Sequence, residues 1–146
     1  MTAPAKNKTA DRLAQRGIKP SVQRLAIYEN LLARMDHPTA DNMWDDLVEK
    51  IPTLSRTTVY TTLNLLCDKG LVLVVLGDCD KIHFDAITTQ HAHFFCDDCK
   101  CILNVGETSL TEKDFKIPPG AKIHDIKVYI SGVCHNCVEN SQRQGI

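Results

Sequence analysis

No stretch of this chain stays apolar over the roughly 20 residues that a membrane-crossing helix needs, so no membrane span is expected. Residues 1–8 are polar and lack the apolar segment of a secretory leader. The expectation is a chain that stays in the reducing cytoplasm. There is no internal repeat, and no low-complexity tract beyond the polar ends. Nor is there much net charge: 17 lysines and arginines against 18 acids leave −1, which by itself argues neither for nor against nucleic acid. The distribution says more. Residues 1–35 hold seven bases (Lys6, Lys8, Arg12, Arg16, Lys19, Arg24 and Arg34) against Asp11 and Glu29, an excess of five, whereas residues 36–49 hold five acids and no lysine or arginine.

Against these absences stands cysteine, seven times in 146 residues. In a reducing compartment, paired cysteines bind metal more often than they form disulfides. Cys96-x-x-Cys99 and Cys134-x-x-Cys137 are two such pairs, and four thiolates on tight turns close a tetrahedral zinc site. His91-x-His93 runs straight into the first pair. Imidazoles there point to a second, more exchangeable metal. On a strand the two histidines project from one face. A domain of this size buries a modest core, so a metal staple has a clear stabilising role. Cys67, Cys79 and Cys101 are left over: Cys67 is read as core, Cys79 as the tip of a hairpin, and Cys101 as turned off the zinc knuckle by strand alternation.

Residues 1–85 read as helices ending in a hairpin. Residues 12–16 form a short helical candidate closed by Gly17. Ser21 caps a second helix, with Leu25, Tyr28, Leu31 and Leu32 at helical spacing. Thr39 caps a third, carrying Met43, Trp44, Leu47 and Ile51 and ended by Pro52. Ser55 caps a fourth, with Val59, Leu63 and Leu66 as its buried stripe and Gly70 as its stop. Residues 71–76 and 81–85 read as strands about a Gly77-Asp78 turn. This order is that of a winged helix-turn-helix, with the fourth helix placed in a DNA major groove. Residues 86–90 are a hinge. Residues 91–146 read as a smaller domain with strands at 91–95, 101–105 and 122–130 and one or two helical turns at 110–115. The fold class is therefore α+β: an N-terminal winged helix-turn-helix domain followed by a small α/β domain with a four-cysteine zinc site.

Gly17-Ile18-Lys19, Gln23-Arg24, His37-Pro38-Thr39-Ala40-Asp41, Ser55-Arg56-Thr57-Thr58-Val59-Tyr60, Lys69-Gly70-Leu71, His91-Ala92-His93 and the two cysteine pairs occur in order across nearly the whole chain. In this the sequence resembles the Fur family of metalloregulators, and Asp85, in place of a glutamate, resembles its peroxide-sensing PerR branch. The resemblance implies a homodimer in which residues 91–146 dimerise and hold zinc on Cys96, Cys99, Cys134 and Cys137. It also implies a regulatory Fe(II) or Mn(II) on His37, Asp85, His91, His93 and a carboxylate at position 104. Here that position is Asn104. Two readings follow: a site short of one negative charge, with weaker binding or Glu107 as substitute, or a four-coordinate site with Asn104 as a plain surface residue. A second family site needs a histidine and an aspartate where Gln90 and Ala92 stand, so that site is expected to be absent.

The resemblance further implies a repressor on an inverted-repeat duplex, with an iron- or manganese-level sensor as the alternative to peroxide sensing. For DNA, Arg56 suits bidentate guanine recognition, and the hydroxyls of Ser55, Thr57 and Thr58, with Tyr60, line the start of the fourth helix. Thr61 stands where many relatives carry arginine or asparagine. Lys19 matches a family lysine that reaches a minor groove, and Arg24 is a phosphate candidate. Enzymatic readings fit less well. A zinc deaminase needs a His-x-Glu and a Pro-Cys-x-x-Cys, and neither is present. A thioredoxin-like site needs a Cys-x-x-Cys opening a helix after a strand, and both pairs are expected on strand turns. A bare zinc-ribbon interaction module leaves His37 and Asp85 without a role. No enzyme activity, small-molecule substrate or membrane partner is expected.

Overall fold

The computed structural model describes residues 5–34, 36–76 and 81–144. It divides into two compact units, residues 1–88 and 89–146. The Gly77-Asp78 turn and Cys79 lie outside the described residues.

The first unit runs α1 (Ala5–Gln15), α2 (Val22–Ala33), α3 (Ala40–Val48), α4 (Arg56–Asp68), β1 (Leu73–Leu76) and β2 (Ile82–Asp85). Its helix starts follow the expected chemistry. The Ser21 and Ser55 hydroxyls accept the backbone N–H of Arg24 and Thr58. Thr39 and Asn42 satisfy each other's backbone N–H in a capping box. Two helices end on glycine at φ +74°. In each the glycine N–H and the next N–H bond back three and five residues: Gly17 to Ala14 and Ile18 to Leu13, Gly70 to Cys67 and Leu71 to Leu66. This is the Schellman arrangement, and Leu13 and Leu66 are buried beside it. α1 begins well before residue 12, and α3 stops at Val48 rather than at Pro52. Ile51 instead joins the core from the turn that follows. Leu13, Ile27, Leu31, Met43, Val59, Leu63, Leu66 and Phe84 form that core. Full burial of such side chains contributes about 1.5–3 kcal/mol each. β1 and β2 pair antiparallel, Leu73 opposite Asp85.

The second unit holds β3 (His91–Cys96), β4 (Ile102–Glu107), a single 3-10 turn (Glu112–Asp114), β5 (Val128–Gly132) and α5 (His135–Gln144). The sheet order is β4-β3-β5, with β4 antiparallel and β5 parallel to β3. One expectation is corrected here, and one helix was not foreseen. The last strand begins at Val128, not 122, because it pairs with β3 from Ala92 onward and residues upstream run past the end of that strand. Residues 135–144 are helical, although only Val138 and Cys137 interrupt an otherwise polar run, too little for an apolar stripe.

Candidate metal centres and nucleic-acid interface

The four paired cysteines meet in the second unit, with all four sulfurs within 4.8 Å of one another. Cys96 ends β3, and Cys99 lies on the turn that leads to β4. That turn is closed by Lys100 at φ +65°, whose N–H bonds the Cys96 carbonyl at 3.0 Å. Beyond β5, Cys134 directly precedes α5 and Cys137 lies in its first turn, so the second pair opens a helix rather than a strand turn. Gly132 lets the chain pass close to the first pair's strand, since a Cβ there would meet the Phe94 ring at 3.2 Å.

The donor set fits zinc. Zn–S bonds of about 2.3 Å on a tetrahedron place sulfurs about 3.8 Å apart; Cys96–Cys137 is 3.8 Å and Cys99–Cys134 is 3.7 Å. The N–H groups of Cys134 and Cys99 point at the Cys96 sulfur at 3.3 and 3.5 Å. They pull its pKa down to about 6, Cys134 contributing most, so it is poised as a thiolate. Cys99 is lowered too, chiefly by the Cys101 N–H. Cys101 lies outside the quartet, and burial pushes its thiol up to about 12.

Two further donor pairs belong one to each unit. In the first, His37 Nε2 lies 3.1 Å from Asp85 Oδ2, both residues buried. Two donors sharing an octahedral ion with bonds of about 2.1 Å are roughly 3 Å apart, so this pair fits one edge of such a site. His37 holds φ +54°. Its carbonyl accepts the Nδ1–H of His83 at 2.6 Å, and the Pro38 carbonyl accepts the Phe84 N–H at 3.0 Å. These bonds fasten the turn to β2, the strand that ends in Asp85. Asp85 Oδ1 accepts the Ile87 N–H at 2.9 Å, with Oδ2 turned to His37. His83 was missed from sequence. The available signal was its place two residues before Asp85 on an alternating strand. Arg34, counted above among the bases of the N-terminal segment, instead clamps Asp36 at 2.8 Å and Asp46 at 2.9 Å, which fixes the approach to His37.

In the second unit His91 and His93 are buried neighbours on β3, ring centroids 4.4 Å apart. His91 Nδ1–H donates to the Thr89 carbonyl at 2.7 Å, which puts the lone pair of the neutral ring on Nε2. His93 stacks on Tyr129 at 5.9 Å. Asn104 lies opposite His93 and Glu107 opposite His91. Both are exposed. The register shift between these pairs leaves one extra residue in β4, at Val105-Gly106, with Gly106 at φ +113°. Gln90 serves the sheet: its amide oxygen accepts the Leu110 N–H at 3.0 Å.

Six of the eight candidate DNA residues, Ser55 to Thr58, Tyr60 and Thr61, lie at the cap and in the N-terminal half of α4, whereas Lys19 precedes α2 and Arg24 lies in it. Ser55 Oγ lies 2.8 Å from Thr58 Oγ1 as well as capping the helix, and Thr61 Oγ1 turns back to the Thr58 carbonyl at 3.2 Å. Thr57 is exposed, as is Tyr60 at 43%. The Arg56 guanidinium lies 4.5 Å over the Trp44 ring. Arg24 reaches the Lys19 carbonyl at 2.9 Å, which braces the loop that presents exposed Lys19.

Comparison with known proteins agrees with this arrangement. The model of the ferric uptake regulator family matches residues 15–131. The peroxide operon regulator of Bacillus subtilis is 33% identical over 140 residues, spanning 94% of this chain and 96% of the relative. Among solved structures, PerR of Streptococcus pyogenes, described for its peroxide sensing and gene regulation, covers 94% of this chain and 95% of its own at 25% identity and a TM-score of 0.53. The Helicobacter pylori ferric uptake regulator shares the fold, with a TM-score of 0.68 at 19% identity over 94% of this chain and 97% of its own. The chain belongs to the ferric uptake regulator family.

Proposed function

We propose that this protein is a homodimeric transcriptional repressor that binds duplex DNA under the control of Fe(II) or Mn(II) and senses peroxide, as its PerR relatives do. One observation carries the reading: buried His37 Nε2 and Asp85 Oδ2 stand 3.1 Å apart, in hydrogen-bond contact and at a spacing that also suits one edge of an octahedral ion, in the unit that bears the helix-turn-helix. Residues 1–85 bind DNA, 86–90 act as the hinge, and 91–146 dimerise. Leu103, Val105, Tyr129 and Ile130, all at least 39% exposed on β4 and β5, support that last role. Zinc on Cys96, Cys99, Cys134 and Cys137 is structural, because four thiolates leave no open position for chemistry.

By resemblance, the regulatory metal is held by His37, Asp85, His91 and His93, with Asn104 at the fifth position. Bound Fe(II) supplies the redox reactivity that makes peroxide a signal, whereas Mn(II) in the same donors supplies only charge. Asp85 contributes the negative charge and His91 an Nε2 lone pair already set by its bond to Thr89. A ligand that engages both pairs favours one arrangement of the DNA-binding heads and shifts the population toward it. By resemblance, His37 or His91 is the histidine that peroxide oxidises, which removes a ligand and releases DNA. The protein is spent in that event, so it is no enzyme. It works in the cytoplasm on an inverted-repeat operator.

Asn104 leaves the site one carboxylate short, so it should hold hard ions less tightly whether it reads peroxide or, in the alternative, the level of iron or manganese. Binding of the zinc-loaded dimer to an operator duplex, titrated with Mn(II), tests the core of the proposal. Affinity should rise with Mn(II) in the wild type and not in His37→Ala; equal affinity with and without metal overturns it.

A further inference from the structure

α4 carries one lysine or arginine among its thirteen residues, Arg56, and it is the first. A cation at a helix N-terminus opposes the helix dipole, so helix stability does not explain it. Apart from Asp68 at the far end, the other exposed residues of the helix, Thr57, Tyr60, Thr61 and Asn64, are uncharged. Thr61 turns its hydroxyl back to the Thr58 carbonyl. The capacity for strong bidentate recognition of guanine therefore rests on Arg56.

That side chain has a platform. Its guanidinium lies 4.5 Å from the centroid of the Trp44 ring, within cation–π range. The indole is itself held, because its Nε1–H donates to the Leu54 carbonyl at 2.9 Å. Leu54 is buried and immediately precedes Ser55, the residue that caps α4. One aromatic ring on α3 thus bolts down the turn of the helix-turn-helix and fixes the arginine at the helix end that enters a groove. A long side chain ordered in advance loses less freedom on binding. Arginine also stacks and forks where lysine cannot.

We propose that Arg56 reads a guanine in each operator half-site and that Trp44 is the positioning residue that orients it, making this stacked pair the main source of base specificity in α4. The proposal rests on the DNA-binding reading above. The competing role is mechanical: the pair only tacks α3 to α4.

The test uses the zinc-loaded, Mn(II)-bound dimer and two probes, a duplex selected by the wild type from a random-sequence pool and a scrambled duplex of equal composition. Arg56→Lys, Trp44→Phe and Trp44→Leu are compared for affinity to both, for salt dependence and for thermal midpoint. Arg56→Lys and Trp44→Leu should reduce the selected-to-scrambled affinity ratio about 5- to 150-fold, the range of one good bidentate contact. Scrambled-duplex affinity and its salt slope should hold within about twofold. Trp44→Phe, which keeps a ring but loses the N–H, should fall between. Trp44 is the chain's single tryptophan. Its emission should therefore change on the selected duplex and not on the scrambled one. A lowered thermal midpoint with an unchanged ratio assigns the pair to mechanics and overturns the proposal. So does an unchanged ratio in Arg56→Lys, a surface substitution that does not threaten the fold. A wild type that selects no sequence overturns the proposal together with the DNA-binding reading, and is distinguishable because no ratio then exists to lose.

Discussion

Cys137→Ser exchanges one sulfur for one oxygen on the half-buried face of α5, so it removes a metal-holding thiolate with little loss of packing. Within a single chain the second unit has little else to hold it. Its buried apolar side chains, among the described residues, are Ala92, Cys96 and Ile102. At about 1.5–3 kcal/mol for a fully buried large aliphatic group, that core supplies only a few kcal/mol. A structural zinc in a small domain supplies roughly 10–16 kcal/mol, and whole domains are stable by only about 5–15 kcal/mol. Losing the zinc therefore exceeds what residues 89–146 can absorb. The first unit, with fourteen buried residues in one cluster among the described residues, should keep its fold. Three measurements on the purified variant decide this: zinc content, mass in solution, and hydrogen exchange by segment. The expected result is loss of zinc, loss of the dimer, and loss of amide protection over 91–96 and 128–132, with α2 to α4 still protected. A zinc-free variant that remains dimeric and fully protected over those strands refutes the reasoning.

His83→Ala removes the donor that fastens the His37 carbonyl; partners of the ligand side chain itself are worth about 10- to 100-fold in metal affinity, so loss of this backbone tether should cost about tenfold. Mn(II) titration should show that weakening with the thermal midpoint of the zinc-loaded protein lowered by only a few degrees. Unchanged affinity would mean that the φ +54° turn at His37 holds without it. Asn104→Asp returns a negative charge opposite His93. It should tighten Mn(II) by about tenfold or more, since ligand charge tunes hard-ion affinity. No tightening would place position 104 outside the coordination sphere.

The sequence made the helical half legible because its chemistry is local. Ser21, Thr39 and Ser55 start helices, Gly17 and Gly70 end them, and the apolar stripes between them need no distant partner. The cysteine quartet was legible for the same reason, since a Cys-x-x-Cys turn presets half of a tetrahedron. What was not legible depends on contacts far apart in sequence. β5 begins where β3 offers a partner, not where its own alternation begins. α5 is polar, and the zinc-holding cysteines at its start resemble another strand turn. His83 gains its role only when the hairpin brings it to the His37 carbonyl, 46 residues away. The stack of Arg56 on Trp44 likewise needs α3 and α4 packed before either residue reveals it.

The central claim is that this chain converts peroxide into release of DNA through the ligands of its regulatory metal. The most direct measurement is operator binding by zinc-loaded dimers carrying Fe(II) or Mn(II), before and after peroxide, with the masses of peptides containing His37 and His91 read from the same samples. The account predicts DNA release in the Fe(II) sample alone, accompanied by one added oxygen atom on His37 or His91. Retention of DNA by both samples, or release without histidine oxidation, would contradict it.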